Sequence, residues 1–164
     1  MALNVRNKLF GPLLLLQLVA SVHLTAADIG LASAGKVTIH QNGFCDLDNG
    51  REVPDNSRGE ADFLWAYRPD LVRGELLPMN ISAFALLNSN DFSAVSLENL
   101  RALSFNVGGV KRNGALFTSC ELFRGEIYGY ITHSHRYGKL FVESTGQSLV
   151  ISFVTFSTDP GDTK

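Results

Sequence analysis

The last third of the chain constrains the fold most. Three runs, GEIYGYIT (125–132), YGKLFVES (137–144) and SLVISFVTF (148–156), are rich in β-branched and aromatic residues and are separated only by HSHR and TGQ. Connections this short join antiparallel neighbours, because a parallel crossover needs a dozen residues or more. The segment therefore reads as a three-stranded β-meander. In its last run Leu149, Ile151, Phe153 and Thr155 point one way and Val150, Ser152, Val154 and Phe156 the other. Both faces are partly apolar, which places this strand inside a sheet.

Upstream, KVTIH (36–40) alternates at Val37 and Ile39, and FCDLDNGREV (44–53) reads as strand, turn, strand. Asn49-Gly50 is the two-residue hairpin signal, since both turn positions call for φ > 0. The turn formers of 54–60 make a loop, and ADFLWAYR (61–68) makes a strand that stops before Pro69. ISAFALL (81–87) suits strand or helix. SLENLRAL (96–103) is a short helix, with Ser96 as cap and Leu97, Leu100 and Leu103 on one face. NVGGVKRNG (106–114) is a glycine-rich loop.

The other end of the chain speaks to compartment. Arg6 and Lys8 precede an apolar run at 9–20, interrupted by Pro12 and shorter than the roughly 20 apolar residues a membrane span needs. With the small residues of LTAA (24–27), this is the pattern of a secretory signal cut after Ala27. The expected organisation is a signal over 1–27, a mobile lead-in over 28–36, one β domain over 37–157 and a polar tail over 158–164. The destination is secreted or periplasmic, with no stable membrane span once the signal is gone. Without Arg6 and Lys8 the chain holds 12 basic and 16 acidic residues, a formal charge of −4. Nucleic acid is excluded as a partner on that balance, because such binding runs on Lys and Arg against phosphate.

An oxidising compartment allows Cys45 and Cys120 to pair, closing a long loop; two buried free thiols are the alternative. Asn80-Ile81-Ser82 fits the N-glycosylation rule, which matters only in a eukaryotic host. His133 and His135 are two residues apart, so on a straight strand they would share a face and form a metal clip, with His40 as a distant third ligand. A turn between the flanking strands removes that geometry and leaves two exposed imidazoles. DLDNGRE (46–52) starts like a calcium loop with Asp46 and Asp48. Its glycine falls one position early, and Ser57 stands where the closing glutamate belongs. Nucleophile-elbow, zinc-protease and phosphate-loop patterns are missing, and carboxylates such as Asp62, Glu121, Glu126 and Glu143 are scattered, so the sequence does not read as an enzyme. Trp65, Tyr67, Tyr128, Tyr130 and Tyr137 suit either a ring-binding platform or the core.

Two segments together carry a family likeness. FCDLDNGREV with ADFLWAYR resembles F-D-x-D-T-G followed by A-D-F-x-W. GEIYGYITHSHRYGKLFVES with LVISFVTF resembles G-x-x-x-x-V-x-T-x-E-G-x-Y-A-K-L-x-V and an apolar strand. The pairing is similar to uncharacterised exported bacterial β-domains and, more distantly, to the C-terminal part of HmuY-like haem-binding proteins. It implies an exported, mostly β domain whose 132–139 hairpin is structural, framed by Thr132, Tyr137 and Lys139. Here His135 stands where the family turn carries Gly, and Gly138 where Ala is common. No haem ligand carries over to any residue of this chain.

The expectation is a mainly β, antiparallel, sandwich-like domain with a C-terminal meander and one short helix. It would act without catalysis or cofactor, binding a small molecule, glycan or protein. Haem or metal capture through the turn histidines is the alternative.

Overall fold

The structure, a computed structural model, describes residues 30–157. The expected signal segment, the first two residues of the lead-in and the polar tail lie outside these. The strands are β1 (Leu31–Ile39), β2 (Phe44–Asp46), β3 (Arg51–Val53), β4 (Phe63–Arg68), β5 (Arg73–Pro78) and β6 (Ala83–Leu86). After helix α1 (Leu97–Arg101) come β7 (Val110–Arg112), β8 (Ala115–Phe117), β9 (Cys120–Glu121), β10 (Ile127–Ile131), β11 (Tyr137–Ser144) and β12 (Leu149–Phe156). A 3-10 segment spans Asp55–Glu60.

They form two sheets, ordered β1-β12-β11-β10-β6-β7-β8 and β3-β2-β4-β5-β9. Every pairing is antiparallel except β6 with β7. The meander is as read: β10, β11 and β12 are neighbours in order, and β12 lies between β11 and β1. Leu149, Ile151, Phe153 and Thr155 are buried, while their alternates are half-buried. One continuous apolar cluster joins the two sheets, drawing Phe63, Trp65 and Leu76 from the smaller and Phe84, Tyr128, Tyr130, Leu140 and Ile151 from the larger. Trp65, Tyr128 and Tyr130 are therefore core residues and not a platform.

Close packing dictates two glycines. A Cβ on Gly138 would collide with the Tyr130 ring, and one on Gly74 with the Trp65 indole. Gly138 thus makes room for its cross-strand partner Tyr130. On the outer face of the larger sheet, Leu100, Val95 and Ile127 form a second cluster with Leu103, Phe141 and Phe156. Ser96 accepts from the Asn99 N–H, and the Asn99 side chain accepts in return, so α1 carries a full capping box. Lys139 pins the preceding loop by donating from Nζ to the Phe92 and Val95 carbonyls.

Three expectations change. The lead-in is not mobile from Leu31 onward: β1 begins there and pairs with β12 along its length. Its Lys, Ser and Gly hid a strand whose side chains are mostly exposed. Asn49-Gly50 is not a two-residue hairpin, because Asp46 pairs with Arg51 across a four-residue loop in which only Gly50 has positive φ. Asp46 closes that loop by accepting from the Asn49 backbone and side chain. The two-residue hairpin occurs at Asn113-Gly114, with φ of 50° and 82°, between β7 and β8 inside the presumed loop. The ambiguous 81–87 segment is the strand β6.

Cys45 and Cys120 are both buried and free. They sit on β2 and β9, with β4 and β5 between them in the sheet. Three strand spacings are about 14 Å, far beyond the 7 Å limit for a disulfide. Burial, with help from Asp62, Asp46 and Glu52, pushes the Cys45 thiol well above its ordinary pKa.

Candidate functional site

Asp62 ends the 3-10 loop and opens β4, where it is fully buried. Its Oδ2 accepts from the Leu47 N–H at 2.7 Å. Its Oδ1 accepts from the Ser82 hydroxyl at 3.0 Å and the His133 N–H at 2.7 Å, and lies 3.0 Å from His133 Nδ1. One carboxylate thus ties together the β2–β3 loop, the entry to β6 and the β10–β11 turn. Burial raises its pKa above the usual aspartate value, opposed by the His133 and Leu47 donors.

Asp48 lies beside it, also buried. Its Oδ1 accepts from the Thr132 hydroxyl at 3.0 Å and sits 3.4 Å from Arg136 Nη1. Its Oδ2 is buried with no hydrogen-bond partner, 3.7 Å from His133 Nδ1. The polar chain continues inward through the Leu47 carbonyl, which accepts from Thr155 and Ser33, and through Thr155 to the Tyr130 hydroxyl.

The sequence-derived ligands separate. Among the described residues one group of three potential metal ligands falls within 4.8 Å of one another: Asp48, Asp62 and His133. It contains neither His135 nor His40. His135 is exposed at φ 61°, the left-handed turn position its replacement of glycine implied. His40 Nδ1 pairs with Glu52 at 2.6 Å on the surface. Asp46, first of the would-be calcium loop, serves its own turn. The exposed Asn80 donates from Nδ2 to the carbonyls of Arg58, Gly59 and Ala61, tying down the end of the 3-10 segment.

A second feature lay beyond the sequence reading. On the outer face of the larger sheet two adjoining hollows, about 220 and 290 Å³, share Asn88 and Leu103. Each alone is smaller than the small-ligand sites of about 300 to 1,000 Å³, a range that only a ligand spanning both would reach. Ala85 forms the floor, in register with Gly129 on one side and Lys111 on the other. These small residues keep the sheet low, while Leu100 and Leu103 of the α1 segment rest on Gly129 and Leu103 lines the groove. Asn88, Lys111 and Asn113 line the groove, and their side chains make no hydrogen bond or ion pair among the described residues. Among the described residues Lys111 is the groove's single titratable group. Only the Asn-Gly turn at 113–114 could have signalled this place.

No protein-family model matches the chain, and no characterised protein matches it in sequence.

Proposed function

We propose that this chain is an exported, non-catalytic binding module that holds a saccharide-sized polar ligand in the groove between β6, β7 and α1. The observation that carries this reading is the set of three unpartnered polar side chains, Asn88, Lys111 and Asn113, around a floor of Ala85 and Leu86. An amide offers a donor and an acceptor at once, which suits hydroxyl groups. The apolar floor suits the C–H face of a sugar ring, and Lys111 adds preference for a carboxylated or sulfated sugar. Among the described residues the groove offers no second titratable group to act as the acid or base of a hydrolysis. Export rests on the signal-like run of 9–20 and the likeness to exported β-domains. No helix among the described residues is long and apolar enough to cross a membrane.

The test is a saccharide-array screen of the wild-type protein beside Asn88→Ala and Lys111→Ala. Each substitution should weaken the best hit about 5- to 10-fold or more, the loss of roughly one to two hydrogen bonds. Hits that bind both variants as tightly as wild type would place the ligand elsewhere.

A further inference from the structure

The geometry points to a transition-metal site at the junction of three loops, built from Asp48, Asp62 and His133 and suited to a zinc-like dication. The inference stands apart from the groove, which none of these three residues lines. Two carboxylates and one imidazole converge within 4.8 Å. The side chains of Asp48 and Asp62 are 5% and 0% exposed, and that of His133 is 24% exposed. The pair of acids alone would prove little. The deciding feature is Asp48 Oδ2, a buried carboxylate oxygen with no donor at all. Such an atom costs folding free energy unless something fills its lone pairs. Thr132 donates to Oδ1 and Arg136 Nη1 approaches Oδ1, so in this arrangement neither serves Oδ2. What Oδ2 faces is His133 Nδ1, 3.7 Å away.

The distances select the ion. Zinc bonds of about 2.0–2.2 Å to nitrogen and oxygen in tetrahedral array put neighbouring ligand atoms about 3.3 Å apart. The Nδ1 distances of 3.7 Å to Asp48 Oδ2 and 3.0 Å to Asp62 Oδ1 bracket that value, while the two carboxylates lie within 4.8 Å of one another and would close by a side-chain adjustment on binding. Calcium asks for six to eight oxygens, at about 2.3–2.6 Å, which this set does not offer. The imidazole favours a borderline transition ion. On binding, Nδ1 turns to the metal as the neutral imidazole with its proton on Nε2, where the Ser134 hydroxyl can accept it, and the Asp62 carboxylate turns to the same ion. Three protein ligands leave a fourth position for water.

The supporting shell is in place. His133 Nε2 is 3.2 Å from the Ser134 hydroxyl, which fixes the far ring nitrogen. Ser82, Leu47 and the His133 N–H hold Asp62, and Thr132 holds Asp48. Such outer partners orient ligands and set the histidine tautomer.

The test is calorimetric titration of the purified, chelator-stripped protein with Zn²⁺ alone, repeated with Ca²⁺. One Zn²⁺ per chain is expected, with Ca²⁺ at least 10-fold weaker. Asp48→Asn and His133→Gln should each weaken Zn²⁺ at least 10-fold, whereas His135→Ala and His40→Ala leave it unchanged. Zn²⁺ should raise the melting temperature of wild type and not of Asp48→Asn, each variant's fold being checked by circular dichroism. Absence of Zn²⁺ uptake by the folded wild type would overturn the site. So would wild-type affinity in both ligand variants, loss of uptake in His135→Ala or His40→Ala, or equal affinity for Ca²⁺.

Discussion

Replacing Asp62 is the sharpest probe of how the two sheets are joined. In Asp62→Ala the Leu47 N–H loses its only acceptor in a fully buried setting, and the His133 N–H loses a 2.7 Å bond in a partly buried one. The Ser82 hydroxyl can rotate away, and the His133 ring can reach water, so these two count for less. A buried donor left unpaired costs about 1–3 kcal/mol. The two backbone groups therefore put the loss near 3 kcal/mol, less whatever is regained by removing a carboxylate that burial disfavours. Asp62→Asn keeps the shape and one oxygen, so one backbone donor stays paired and the loss should be roughly half as large, about 1–2 kcal/mol. The assay is urea unfolding in the presence of a chelator, followed by circular dichroism, with the slope unchanged and only the midpoint moved. Asp62→Ala costing under about 1 kcal/mol, or Asp62→Asn costing more than Asp62→Ala, would refute the claim that this carboxylate joins the loops through its acceptors.

Other substitutions read single features. Gly138→Ala drives a methyl into the Tyr130 ring and should destabilise by about 1–3 kcal/mol in the same urea assay. Val72 is a β-branched residue at φ 53° and largely exposed, so Val72→Asn should raise stability by about 1 kcal/mol, read as a higher thermal midpoint. Lys139→Met strips two carbonyls of their donor and should both destabilise the fold, by about 2–3 kcal/mol, and weaken groove binding, because Val95 and Ala94 form a groove wall. Mass spectrometry after alkylation should find two free thiols; Cys45 should react only once the protein is unfolded, because burial holds its thiol protonated.

The legible parts of this fold were those that local pattern decides. The meander showed because Leu149, Ile151 and Phe153 alternate over a stretch longer than any competing period, and α1 showed because Ser96 sits before a Leu97–Leu100–Leu103 stripe. Only the end of β1 showed, at Val37 and Ile39; its first half did not, since an edge strand lying half in solvent can spend its positions on Ser33, Gly35 and Lys36. The Asn-Gly rule failed at 49–50 and held at 113–114 for one reason: Asp46 captured Asn49 and widened the first loop, while Asn113 has no such competitor. Asp48, Asp62 and His133 are each ordinary in sequence, and 71 residues separate Asp62 from His133. Their convergence is a product of sheet pairing, which no local spacing records. The groove is equally silent, because it depends on what Ala85 and Gly129 lack.

The most direct test of the binding-module account is a ¹H–¹⁵N NMR titration of the purified protein with the best saccharide from the array. Shifts concentrated at Ala85, Asn88, Leu103, Lys111 and Asn113 are the predicted result. Saturable shifts confined to the 132–136 turn or to the β8 edge, with the groove signals unmoved, would contradict it.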